Sequence, residues 1–280
     1  MLWKNQRQSE NIEDRRGMSG RTIAFGGGGL GLLLVVIAAC LCGADPQQLL
    51  QQMPQDPARQ TQPQAAPNQN DEMRQFAAAV MGSTEDVWRD IFRKNGLQYR
   101  EPTLVLYEDR VSSACGVSGA SVGPFYCPGD EKLYLDFSFF RELKNEFRAP
   151  GDFAQAYVVA HEVGHHLQNL FGTMDQVNAA QQRSGQTKAN QLSVRLELQA
   201  DCFAGVWAHH AQKKGLLEAG DAEEAIRAAM AVGDDMIQNR AQGYVVPEAF
   251  THGSAKERAT WFATGFKAGE LRQCRTFEFR

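Results

Sequence analysis

The segment His161-Glu162-Val163-Gly164-His165 constrains this chain more than any other feature. It follows an apolar run, Phe153-Ala154-Gln155-Ala156-Tyr157-Val158-Val159-Ala160, whose composition suits a buried helix. On a helix, residues four apart share a face, so the two imidazoles can be presented to one point. Glu162 lies about 100° around the helix from His161, so its carboxylate can reach a water held there without being a ligand itself. Two such histidines could equally be hydrogen-bonded core residues. Glu197-Leu198-Gln199-Ala200-Asp201 weighs against that, because it supplies a third ligand. Glu197 and Asp201 are again four apart, on an expected helix that Ala200, Cys202, Phe203 and Val206 mark as buried. Buried carboxylates need partners. His161, His165 and Glu197 form a set of three that leaves one position open, as catalytic zinc sites do, so one zinc ion is the expected cofactor. Manganese or cobalt would also suit these donors. Asp201 is expected to accept the outer ring N–H of a ligand histidine. His166 points off the shared face and is expected to be a bystander.

The amino-terminal quarter has a different character. Residues 22–43 carry no charge and include Leu30, Leu32, Leu33, Leu34, Val35, Val36, Ile37 and Leu41. That is long enough to cross a hydrocarbon core of about 30 Å as a helix. Arg15, Arg16 and Arg21 precede the run and Asp45 follows it, which places 1–21 in the cytoplasm and the remainder outside. A cleaved signal peptide and a lipobox ending at Cys40 are competing readings. The length of the run favours a single-pass anchor in a bacterial inner membrane, with an extracytoplasmic or periplasmic domain. Residues 44–70 are rich in Gln, Pro and Ala and are expected to form a disordered linker. The folded domain is then 71–280. The net charge of −4, with no basic cluster interleaved with aromatics, argues against a nucleic-acid partner.

Within the domain, Phe76, Val80, Val87, Trp88, Ile91 and Phe92 fall at helical intervals, with an expected break near Gly82-Ser83-Thr84. Residues 102–107 read as a strand, and 125–127 with 132–135 as a hairpin around Pro128-Gly129-Asp130. Helices are expected over 138–147, 152–170, 187–213, 221–238 and 254–269. A small antiparallel or mixed sheet beside a helical bulk is an α+β arrangement. Of the cysteines outside the apolar run, Cys115 and Cys127 flank a closable loop of Gly, Ser and Pro, and Cys202 with Cys274 is the remaining pair. Four buried thiols are the alternative. The segment 120–126, with Gly123 and Pro124, could offer a sheet edge to a peptide.

The HExxH and ExxxD pattern resembles the gluzincin metallopeptidases. With Gly123-Pro124-Phe125-Tyr126-Cys127-Pro128, the stretch 197–208 and the opening Trp3-Lys4 through 11–17, the chain resembles the bacterial neutral zinc metallopeptidases along nearly its whole length. That resemblance implies a zincin-like peptidase domain, zinc on His161, His165 and Glu197, Glu162 as general base, and a protein or peptide substrate. His252 and Arg258 lie in a stretch similar to the His-Pro…Arg segment of the HtpX and CaaX-prenyl-protease metallopeptidases, with Gly253 where those have proline. They are the candidate oxyanion donors, with Tyr244 as a third. The rival expectations are a catalytically inactive domain that uses zinc for stability or partner binding, and a metal-dependent esterase or amidase. Oligomeric state is left open.

Overall fold

The computed structural model describes residues 1–17, 71–108, 110–119 and 123–277. The anchor expected at 22–43, the linker expected at 44–70 and residues 120–122 of the expected sheet edge lie outside the described residues. Among the described residues no helix is long and apolar enough to cross a membrane.

Six strands are found among the described residues, and four of them form one mixed sheet. Its order is β1 (Ile12–Asp14), β2 (Thr103–Tyr107), β6 (Lys132–Asp136), β5 (Phe125–Cys127). β1 and β6 both run parallel to β2, and β5 pairs antiparallel with β6. Leu104, Val105, Leu106, Leu133, Tyr134 and Leu135 are buried on both faces, which is why these strands read as continuous apolar runs. β3 (Arg110–Ser113) and β4 (Gly116–Gly119) make a separate two-stranded hairpin. Disulfides join Cys115, in its turn, to Cys127 of β5, and Cys202 to Cys274 near the carboxyl end.

The described helices are α1 (Glu72–Lys94), α2 (Phe137–Asn145), α3 (Asp152–Leu170), α4 (Thr173–Gln182), α5 (Gln186–Lys213), α6 (Asp221–Ala231), α7 (Asp234–Gln242) and α8 (Ala255–Ala268). Side chains supply the missing partners at several amino ends: Asp71 accepts from Met73 N–H, Asp136 from Ser138 N–H, and Ser254 with Glu257 forms a capping box. α3 runs through the centre with Phe153, Tyr157, Ala160, Val163 and Leu167 buried. It crosses α5 so closely that a Cβ on Gly164 would lie 2.9 Å from the Ala200 backbone. Glycine at that position sets how near the two helices approach.

Three local expectations change. α1 does not break at Gly82-Ser83-Thr84; the Thr84 hydroxyl instead bonds back to the Met81 carbonyl within a continuous helix. The expected helix 221–238 divides at Gly233 into α6 and α7. Thr173–Gln182, not assigned from sequence, forms α4 against α5.

The largest change concerns the first fifteen residues, expected as a cytoplasmic segment apart from a domain of 71–280. They belong to the same compact unit as 69–280. Met1 and Trp3 are buried in the main core, with Trp3 edge-on to Phe76. Arg7 lies so close to α1 that a Cβ on Gly82 would meet its carbonyl oxygen at 2.4 Å, which explains the glycine better than a helix break does. Glu85, fully buried, accepts from Arg7 Nη2 at 2.7 Å, from Asn11 Nδ2 at 3.0 Å and from the Ser9 hydroxyl. A buried carboxylate with three donors is satisfied only while the arm is in place. The Met1 ammonium reaches Asp152 at 2.7 Å, Glu218 at 3.1 Å and Asp221 at 3.3 Å. β1 then completes the sheet, with Leu104 N–H donating to the Asn11 carbonyl and Arg15 N–H to the Leu106 carbonyl. Trp3→Ala is expected to cost about 3 kcal/mol, as loss of a large buried aromatic does. Thermal melts of the variant and of a chain lacking 1–15 should both shift down, and unchanged midpoints would show the arm to be dispensable.

Candidate metal centre

α3 and α5 bring His161, His165 and Glu197 together. His161 Nε2 lies 3.2 Å from Glu197 Oε2 and His165 Nε2 lies 3.3 Å from Glu197 Oε1. One donor atom from each of the three falls within 4.8 Å of the others. The two rings stand nearly perpendicular with centroids 4.8 Å apart, so their Nε2 edges converge while their planes do not stack.

The outer ring nitrogens decide what the inner ones can do. His161 Nδ1 is 2.8 Å from Asp201 Oδ1, and His165 Nδ1 is 2.9 Å from Gln168 Oε1. A carboxylate and an amide oxygen can only accept, so both Nδ1 atoms carry a proton, and Nε2, which faces Glu197, is the nitrogen each ring has for a metal. Charge gives a second test of fit. Glu162, Glu197 and Asp201 are three carboxylates, and Arg258 is the one guanidinium among them, so two formal negative charges remain in a buried site. A divalent cation balances them. The donor set and the charge therefore both fit zinc. The same imbalance shows in proton affinity. Burial works against a charged His161, but Asp201 and Glu197 prevail and raise its pKa to about 10. Burial likewise opposes ionisation of Glu197, yet the two histidines hold its carboxyl well below the usual range.

Asp201 is the hub beneath the ligands. It has no exposed surface, and four donors reach it: His161 Nδ1, the Tyr157 hydroxyl at 2.5 Å, Arg258 Nε at 2.8 Å and Arg258 Nη2 at 3.0 Å. Burial alone would raise its pKa; Arg258 and His161 reverse that and keep it ionised. This corrects the role expected for Arg258. Its guanidinium is buried and gives its hydrogen bonds to Asp201, to Tyr157 Oη at 3.2 Å and to the Val232 carbonyl at 3.3 Å. With its donors so engaged it holds Asp201 rather than an oxyanion. Tyr157 was read from sequence only as part of the apolar run, because nothing local reveals the carboxylate 44 residues away.

The ligands lie in a cleft of about 670 Å³ whose walls include Phe139, Phe147, Met174, Leu196 and Ile237. Glu162 also lines it, and burial raises the pKa of its carboxyl even against the pull of His165 and His161. β5, an edge strand of the sheet among the described residues, contributes Phe125 and Tyr126. His252 also lines the cleft, with about half its side chain exposed, and its Nδ1 is 3.2 Å from Asp234 Oδ1. That hydrogen bond raises the His252 pKa, with burial opposing. The other Asp234 oxygen accepts the backbone N–H of Thr251, His252 and Gly253, which fastens the 251–253 loop to the start of α7. Asp234 was not singled out in the sequence; the pair Asp234-Asp235 after Gly233 was its only signal. Tyr244 is exposed and does not line the cleft. His166 faces away from the ligands, as its position on the helix requires.

Comparison with known proteins agrees with this geometry. The chain is 46% identical to the Escherichia coli K12 protein "Uncharacterized protein YpfJ" over 99% of both chains. It is 40% identical to "Uncharacterized protein Mb2605" of Mycobacterium bovis over 85% of both. No solved structure matches it. Residues 1–277, the amino-terminal arm included, match the family described as "Putative neutral zinc metallopeptidase", and the chain belongs to that family.

Proposed function

We propose that this protein is a zinc-dependent endopeptidase that cleaves extended peptide segments in the α3–β5 cleft. The observation that carries the reading is the convergence of two imidazole Nε2 atoms and one carboxylate beside Glu162, a general base that none of the three ligands displaces. A zinc site that served only to stabilise the fold would need no such group.

When bound, zinc would be held by His161, His165 and Glu197 and would supply Lewis acidity toward a carbonyl oxygen and a water. The protein's own groups do the rest. The peptide backbone adds to the outer edge of β5, which is the recognition mode open to an edge strand. Glu162 accepts a proton from the attacking water on its carboxylate and later delivers it to the nitrogen of the leaving amine, so that one water is consumed for each bond cut. A carboxyl whose pKa burial raises suits both halves of that cycle. His252, whose pKa the Asp234 hydrogen bond raises, donates toward the oxyanion that develops on the former carbonyl while its ring is protonated. Asp201, Tyr157 and Arg258 keep His161 oriented throughout.

The central test is Glu162→Gln. Cleavage of an unstructured protein such as casein should fall about a thousandfold while zinc content stays at one ion per chain, since the variant retains every ligand. Equal activity in wild type and variant would leave the zinc-stabilised scaffold as the better account. His252→Ala should lower kcat about a hundredfold, the usual cost of one oxyanion donor. The His252 contribution is present while the ring is protonated and is lost as pH rises through its elevated pKa. Asp234→Asn removes the cause of that elevation and should move the basic limb of the kcat/KM profile to lower pH. A basic limb unmoved in this variant would remove His252 from the mechanism.

A further inference from the structure

We propose that the last turn of α3, His166 to Asn169, positions both halves of the site: Gln168 holds the metal-ligating shell, while His166 and Asn169 hold Tyr126 and with it the substrate strand. The second half rests on the peptidase reading above, and the first does not.

Helical spacing explains the division. Residues three apart share a face, so Gln168 follows His165 toward α5, whereas Asn169 follows His166 toward the sheet. Gln168 is fully buried. Its Nε2 donates to the Leu196 carbonyl at 2.6 Å and to Gln199 Oε1 at 3.2 Å. Gln199 is itself oriented, because its Nε2 donates to the Cys274 carbonyl at 2.9 Å. With two acceptors on that side, the amide oxygen of Gln168 must face His165, and it can only accept the Nδ1 proton. One side chain thereby sets the tautomer of His165 and clamps the peptide unit that precedes Glu197. Asp201 performs the first of these tasks for His161, so each histidine ligand has its own acceptor, one anionic and one neutral.

The sheet side is just as determinate. His166 Nε2 lies 2.7 Å from the Arg100 carbonyl, which only accepts, so the proton is on Nε2 and Nδ1 is bare. Nδ1 then receives the Tyr126 hydroxyl proton at 3.1 Å, and the Tyr126 oxygen accepts from Asn169 Nδ2 at 2.9 Å. Tyr126 is the middle residue of the three-residue strand β5 and lines the cleft. The same turn that ends the metal-binding helix thus fixes the height and angle of the edge to which a peptide would add.

The experiment separates the two tasks in the full chain. Gln168→Met keeps the bulk and removes both hydrogen-bonding ends; Gln168→Glu keeps an acceptor for His165; Tyr126→Phe removes only the hydroxyl. Zinc affinity is read by competition with a chromophoric chelator, and kcat and KM are read on an unstructured peptide at saturating zinc. The melting midpoint of the metal-free chain is read alongside. Gln168→Met should weaken zinc 10- to 100-fold, as loss of a group that orients a ligand does, with KM held within twofold. Gln168→Glu should lose less. Tyr126→Phe should raise KM severalfold with zinc affinity unchanged. If Gln168→Met only lowers the midpoint and leaves zinc affinity intact, Gln168 is a core residue and the first half is wrong. If Tyr126→Phe weakens zinc, or leaves KM unmoved, the second half is wrong. A wild-type chain that binds zinc but cuts no peptide would sink the peptidase reading and the Tyr126 half with it, while the chelator titration would still decide the Gln168 half.

Discussion

A carboxylate with no access to water stays ionised only when donors occupy its oxygens, and Asp201 is held in that way by groups from two other helices. His161 and Tyr157 come from α3, Asp201 itself from α5 and Arg258 from α8. Removing any one donor would leave a charge buried without its full complement, which is costly where the surroundings are apolar. The metal-ligand geometry is thus a by-product of a structural knot. Helices that satisfy Asp201 have no freedom left to swing His161 away from Glu197. The close crossing at Gly164 and Ala200 brings α3 and α5 near enough for that knot to form.

The two histidines of the candidate metal centre are supported unequally. His161 backs onto an anion that a guanidinium also holds, whereas His165 backs onto a neutral amide. An anionic acceptor makes the opposite ring nitrogen more basic and a better donor to a cation. Aromatic and aliphatic side chains wall much of the cleft, and Asp201, which holds His161, is fully buried and does not line it. Glu162, the proposed acid–base group, is buried beside the two histidines, and burial raises its proton affinity.

The cluster of candidate ligands is legible in the sequence because helical periodicity is a local property. Once 152–170 and 187–213 read as helices, HExxH and ExxxD each placed two polar groups on one face, and burial of their neighbours required those groups to meet. The structure places them so. Tyr157, Gln168 and Asp234 were not legible as site residues, because what gives each its role lies far off in the chain or depends on a tautomer. Arg258 was located but its role was misjudged, since charge and proximity alone do not say which acceptor a guanidinium will choose. Gly82 misled in the opposite direction: a residue read as a helix break is there to admit another segment of backbone. That segment, the amino-terminal arm, carries no periodic pattern. Its burial depends on Trp3 finding Phe76 and on Glu85 finding three donors, and neither event leaves a signature in a sequence window.

The arm has a topological consequence. Backbone hydrogen bonds cannot be shared through a bilayer core about 30 Å thick. β1 and β2 are neighbours in one sheet, so Arg15 and Asp71, at the two ends of the intervening stretch, stand on the same shore of any membrane this protein meets. A single passage between them would pull the first strand out of its sheet. The arginines before the apolar run, which argue for holding the amino terminus in the cytoplasm, are therefore in competition with the sheet for the same fifteen residues. A chain threaded once through a bilayer and a chain with β1 in register are two different molecules.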